Sequence, residues 1–270
     1  MPVDPSLPFS RFGTAPRSPR DDRDHTLAMY LPGIALAASD LPEEIGTANV
    51  AAYPGIRNQG LEGTCGGHGG RSVKQTAERR QRRSPSGMAR VPEMSPRGIY
   101  VLAQRAGGYE GEEGVYTRDV CKALANTGTP REKDWPYRAR YDGKWQPQDI
   151  GTPAPRWLTY AKPWRIGAYA RLNTLEEILF TLEHGGPVLM SMTLHESFMD
   201  TGADGRVPMP TGQEIGGHCM AFMGAHQGMR EFIVPNSWDT DWGDKGWCRI
   251  MFDHFMDVEH EAWGLPDYLP

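Results

Sequence analysis

The chain has 270 residues, enough for one large domain or two smaller lobes around a real core. Hydrophobic residues make up 39% and charged residues 23%, the balance of a globular protein and not of a disordered one. The net charge of -5 argues against a general binder of nucleic acid or anionic membranes.

Residues 1 to about 40 are rich in Pro, Arg, Asp and Ser and read as an extended arm without its own core. Met1-Pro2-Val3-Asp4-Pro5 lacks the basic-then-apolar layout of a secretory signal, and no apolar run approaches the roughly 18–20 residues of a membrane span. The expectation is a cytoplasmic protein, or one packaged in a larger particle. The arm either plugs a cleft or docks elsewhere, and an assembly contact through residues 1–40 stays open. The four cysteines, Cys65, Cys121, Cys219 and Cys248, show no C-x-x-C spacing and read as free thiols, without a zinc or disulfide framework.

The first half reads as helical. Cys65 follows Gly63-Thr64, a plausible turn and cap, and Val73 and Ala77 continue a helix toward Arg82. Gly66-Gly67-His68-Gly69-Gly70 opens that helix, and each glycine costs roughly 1 kcal/mol relative to Ala. Either the first turns fray or the backbone has to make room for something close. Arg79-Arg80-Gln81-Arg82-Arg83 reads as a solvated helix face. Ser95-Pro96 is a cap with Pro at the first helical position, and Thr117 is expected to cap a helix through Val120, Cys121 and Leu124, with Cys121 a buried structural thiol.

The second half turns to strands. Thr174-Leu175-Glu176-Glu177 is a capping box for one more helix, stopped at Gly185-Gly186. Strands are expected over 187–193, 218–225, 231–234 and 247–251. A helical half followed by a stranded half predicts an α+β protein of two lobes, with a site in the cleft between them.

Three separated pieces carry chemistry. A cysteine attacks a carbonyl as thiolate, and a helix N-terminus or a neighbouring imidazolium lowers its pKa from roughly 8.5. Cys65 has the first device, and His218, at the head of an apolar strand after Gly216-Gly217, is the histidine best placed to supply the second. Asn236 ends another strand, where its side-chain oxygen can hold the imidazole, and Trp238 can shield that bond from water. Gln59 can donate its side-chain N–H to a developing oxyanion beside the backbone N–H of Cys65.

His218 lies 153 residues after Cys65 and Asn236 follows 18 later, close to the roughly 130–150 of papain-type enzymes. Asn236-Ser237-Trp238-Asp239-Thr240-Asp241-Trp242-Gly243-Asp244-Lys245-Gly246 closely resembles the N-S-W-G-x-x-W-G-x-x-G segment of the papain-like cysteine peptidases. Arg23 to Thr26, Ser95-Pro96, Gly186-Pro187-Val188 and Val207 to Pro210 resemble the bacterial branch of that family, so that the likeness covers most of residues 23 to 255. The resemblance implies a papain-like two-lobe fold: a mainly helical left lobe over 41–165, a β-barrel-like right lobe over 166–270, and a cleft between them. It implies Cys65 as nucleophile, His218 as acid and base, Asn236 as orienter, Gln59 in the oxyanion hole, no cofactor, and a peptide or protein substrate. Transamidation on the same triad, or a binding role without turnover, are the alternatives.

The family's aromatic directly after the nucleophile is missing, with Gly66-Gly67-His68-Gly69-Gly70 in its place, and two further positions stand out. Glu62 stands where many members carry a disulfide cysteine, and is expected near the cleft, favouring a basic substrate residue. His68, three residues after the nucleophile, is read as a polar residue filling space.

Overall fold

The computed structural model describes residues 14–31, 40–81, 83–84, 87–88, 91–138 and 155–265. Its first half holds α1 (Leu27–Tyr30), β1 (Glu44–Ile45), α2 (Thr47–Ala52), α3 (Cys65–Gln81), a hairpin of β2 (Arg83–Ser84) and β3 (Gly87–Met88), α4 (Pro96–Gly107), α5 (Thr117–Asn126) and α6 (Pro155–Ala161). The second half holds β4 (Ala170–Leu172), α7 (Leu175–Phe180), β5 (Val188–His195), β6 (Glu214–Phe222), β7 (Gly224–His226), β8 (Glu231–Pro235), β9 (Trp247–Met251), α8 (Phe252–Asp257) and β10 (His260–Gly264).

The caps explain where the helices begin. The Ser95 hydroxyl accepts from the Gly98 amide at 2.9 Å, with Pro96 in the first turn. The Thr174 hydroxyl accepts from Glu177 at 3.2 Å, while the Glu177 carboxylate takes the Asn173 amide at 2.5 Å, one residue earlier than the simplest capping box. The expected Thr117 cap is corrected. Tyr116 holds the cap position without a side-chain bond, and Thr117 turns fully into the core. One of the amides at that helix start is met from far away, by the Ser18 hydroxyl, which accepts from Arg118 at 3.2 Å.

Among the described residues, the strands outside the β2–β3 hairpin form two four-stranded antiparallel sheets, β1-β7-β8-β9 and β4-β10-β5-β6, which do not close into a barrel. The second sheet is covered on both faces, which is why β5 and β6 read as unbroken apolar runs. On β5 and β6, Met190, Met192, Met220 and Phe222 face a core shared with the other sheet, where Phe222 and Phe232 stack at 3.9 Å. Leu189, Cys219 and Ala221 face the opposite way, onto the helices, against Val73, Ile99, Tyr100 and Val120. Cys121 is buried in that second core. The arginine-rich end of α3 is less solvated than expected: Arg79 bonds Glu93 at 3.1 Å and Arg80 bonds Asn49 at 2.6 Å. The side chains of Arg82 and Arg83 lie outside the described residues.

Candidate active site

Cys65 is the first residue of α3, so its thiol sits at the positive end of a 17-residue helix. The glycines after it do not fray. They let the helix pass between α4, α5 and the sheet, and every residue from Cys65 to Glu78 is buried. A Cβ on Gly67 would land against the Pro96 carbonyl, and one on Gly69 would sit 2.9 Å from the Cys219 sulfur. Of the two expectations for this stretch, room for close packing is the one realised.

His218 and Asn236 meet. His218 Nε2 lies 2.9 Å from Asn236 Oδ1, and the Ser237 amide donates to the same oxygen at 2.8 Å. Two donors converging on one atom identify it as the oxygen, so Nε2 carries the hydrogen and Nδ1 is the basic nitrogen. Trp238 lies over the pair, its ring centre 5.0 Å from that of His218. Phe198 and Trp242, stacked at 5.5 Å, complete an aromatic wall. Antiparallel pairing of β8 with β9 and the Gly246 carbonyl, which accepts from the Asn236 amide at 2.8 Å, hold Asn236 at the strand end.

Cys65 belongs to the same assembly through the residue after His218. The Cys219 amide is directed at the Cys65 sulfur. Burial pushes the Cys65 thiol up from 9.0, against the opposing pull of the amides of Cys219, Thr14 and Gly66 and of the Thr14 hydroxyl. In this arrangement the thiol is fully buried and protonated at neutral pH.

Gln59 is fastened at both ends of its amide. Nε2 donates to the Glu62 carbonyl at 2.9 Å, and Oε1 accepts from the Ser237 hydroxyl at 2.6 Å. The Gln59 backbone amide also donates to Ser237 O at 2.8 Å. Ser237 therefore ties the glutamine's loop to the residue beside Asn236, a bridging role that the sequence reading missed although Ser237 stood inside the motif.

Glu62 corrects an expectation. Its carboxylate is buried against the Arg97 guanidinium, which leaves it directed into the protein and not at a substrate. His68 makes no use of the thiol either. Its Nδ1 lies 3.1 Å from the Thr64 carbonyl, and its ring packs edge-on to Tyr137 at 4.6 Å.

The N-terminal arm crosses this site. The Val115 amide donates to Thr14 O at 3.1 Å, the Ala15 amide to Gly217 O at 2.9 Å, and the Thr14 hydroxyl to Gly63 O at 2.8 Å. Space for Thr14 and Ala15 exists because Gly63, Gly114 and Gly217 lack side chains. Ala15 shares the buried cluster of Cys65. Farther along, Ser18 donates its amide and hydroxyl to Glu261 at 3.2 and 2.9 Å, and Arg118 clasps the Pro19 carbonyl and, at 2.7 Å, Asp24. Nothing in the composition of the arm marks residues 14 and 15 for this place.

Comparison with known proteins agrees with the geometry. The family model of the papain family cysteine proteases matches residues 45–263, and the chain belongs to that family. The solved structure of xylellain, a cysteine protease from Xylella fastidiosa, superposes with a TM-score of 0.77 at 20% identity, covering 95% of this chain and 96% of that one. Procathepsin B S9 from Trypanosoma congolense follows at 0.67 and 17% identity, over 96% of this chain and 87% of that one. Curated relatives match over shorter stretches. A peptidase C1-like protein of Acanthamoeba polyphaga mimivirus is 36% identical over 89 residues, 32% of this chain and 29% of its own length. Cathepsin B-like cysteine proteinase 5 of Caenorhabditis elegans is 32% identical over 104 residues, 37% of this chain and 30% of its own. The matched stretch thus spans about a third of the length of these curated relatives. Among the described residues no helix is long and apolar enough to cross a membrane.

Proposed function

We propose that the chain is a cysteine peptidase that hydrolyses peptide bonds through a Cys65 S-acyl intermediate, and that its own arm holds it latent. The observation that carries the reading is His218, oriented by Asn236, on the strand whose next amide is directed at Cys65. Once the arm leaves, His218 Nδ1 takes the thiol proton and the thiolate attacks the scissile carbonyl. The Cys65 backbone N–H and the second hydrogen of Gln59 Nε2 receive the oxyanion. His218 returns the proton to the departing amine, which leaves the acyl group on sulfur. Water, deprotonated by His218, then releases the acid and restores the thiol. Asn236 keeps the ring in place through both steps, under Trp238.

Latency rests on Thr14 and Ala15, which occupy the groove between Gly63, Gly114 and Gly217 and bury the sulfur. The test is mass labelling by a peptidyl epoxide together with hydrolysis of a peptide library, for the full chain, an arm-displaced variant and Cys65→Ala. The expected result is a single adduct on Cys65, faster after arm displacement, with hydrolysis lost in Cys65→Ala. Labelling of Cys65 no faster than of the other three thiols, with the arm displaced, overturns the reading. Products carrying an added amine in preference to water would reassign the chemistry to transamidation on the same triad.

A further inference from the structure

We propose that His68 is a positioning residue, which holds the Asn236 amide through a single water bound in the cavity behind the triad. The proposal rests on the peptidase reading above for the effect on turnover, and on geometry alone for the water.

A small cavity of about 10 Å³ lies between α3 and the end of β8, lined by Tyr53, His68, Arg71, Asn236 and Ser237 among others. Its size suits one water and nothing larger. Three polar atoms of its lining residues, each residue at most 3% exposed, have no hydrogen-bond partner among the described residues: His68 Nε2, Arg71 Nε and Asn236 Nδ2. Buried polar atoms are rarely left so.

The chemistry of the three atoms defines the occupant. His68 Nδ1 faces a carbonyl, which only accepts, so Nδ1 carries the ring hydrogen and Nε2 is an acceptor. Burial lowers the His68 pKa to about 3, which keeps the ring neutral and that lone pair available. Asn236 Oδ1 is taken by His218 and Ser237, so the end left over is the NH₂ donor. Arg71 donates through Nη1 to Gly55 O at 2.7 Å and through Nη2 to Glu93 at 2.9 Å, leaving Nε–H as a second donor. One acceptor and two donors match a water that donates once and accepts twice. A chloride offers no hydrogen to the imidazole, and a metal cation accepts nothing from Arg71 or Asn236.

Such a water anchors the amide from the side opposite His218. A flip of the Asn236 side chain would face NH₂ toward the His218 Nε2–H, breaking the bond that orients the ring. The water could follow such a flip by donating its second hydrogen to Oδ1, so it fixes the position of the amide while His218 and the Ser237 amide fix which end faces the ring. His68 thus supports the triad's third member through a solvent bridge, without touching Cys65.

The test is a crystal structure of the full chain at a resolution that shows waters, paired with His68→Phe and His68→Gln. One water oxygen is expected within hydrogen-bond distance of His68 Nε2, Arg71 Nε and Asn236 Nδ2, and it is expected to be absent from His68→Phe. After arm displacement, His68→Phe is expected to lose about tenfold in kcat at constant KM, with His68→Gln recovering most of the loss because its amide oxygen accepts. A dry cavity in the wild type, or a water not bound to His68, overturns the proposal, as does a folded His68→Phe with wild-type kcat. Should the wild type hydrolyse no peptide at all, the water and the side-chain position of Asn236 in the two variants still decide this question, separately from the peptidase reading.

Discussion

Ala15 donates its amide hydrogen to the carbonyl of Gly217 at 2.9 Å, one residue before His218. The chain thereby hydrogen-bonds its own arm to the strand that carries the imidazole, and the 1% exposure of Ala15 leaves no room for a larger side chain. Ala15→Arg should therefore expel the arm. Overpacking costs ~1–3 kcal/mol, a shift of about 5- to 150-fold in the open population. The expected outcome is a rise of that order in the alkylation rate of Cys65 at fixed pH, measured by mass spectrometry, with the other three thiols unchanged.

The pH dependence follows from the same contact. Burial holds the Cys65 thiol above 9.0 in the closed arrangement, whereas an opened thiol keeps its place at the N-terminus of α3 with less burial. A raised pKa in the closed state means that closure is fully favoured below the ordinary value and weakens as pH rises through the raised one. Iodoacetamide should react with Cys65 of the wild type mainly at pH values above the ordinary thiol range, because burial raises its pKa. The half-rate pH of Ala15→Arg should be lower, and a midpoint unmoved by the substitution would contradict the role of the arm.

Asn236 is expected to matter for turnover more than for stability. Asn236→Ala removes the acceptor 2.9 Å from His218 Nε2 while leaving β8 and its backbone bonds in place. A fall in kcat/KM of about 10²- to 10³-fold, with little change in thermal midpoint, is the expected result in the arm-displaced protein.

Glu62 should behave as a structural residue. Its pairing with Arg97 is buried on both sides, and breaking a buried pair costs about 3 kcal/mol or more. Urea unfolding of Glu62→Gln should show that loss, whereas the ratio of rates on peptides with basic and acidic residues before the scissile bond should stay as in the wild type.

Gly67 tests the packing account of the glycine stretch. An added methyl would meet the Pro96 carbonyl, which cannot move without shifting the first turn of α4. Gly67→Ala should destabilise by ~1–3 kcal/mol in urea unfolding, despite the better helix propensity of Ala.

Much of the fold was legible from local patterns. The Ser95-Pro96 start, the Thr174 cap and the strand over Trp247–Met251 depend on neighbours in sequence, and short-range physics decides them. Thr117 misled because its side chain obeys burial, and the Arg118 amide at the same helix start is met by Ser18, 100 residues away in sequence. The Glu62 expectation failed for the same kind of reason: a carboxylate three residues before a nucleophile says nothing about an arginine on α4.

The sequence alone determined, through the residue types and spacing of Gln59, Cys65, His218, Asn236 and Trp238, which side chains are candidates for the site and what chemistry they suit. That is so because a thiol can serve as nucleophile, an imidazole as base, and side-chain amides as orienter or donor. Only the tertiary structure decided the state of the site. The pKa of a thiol depends on what buries it, and here that is an arm with no pattern of its own, seated where three glycines leave space. The same holds for His68, whose free nitrogen acquires meaning from Arg71 and Asn236 across one small cavity.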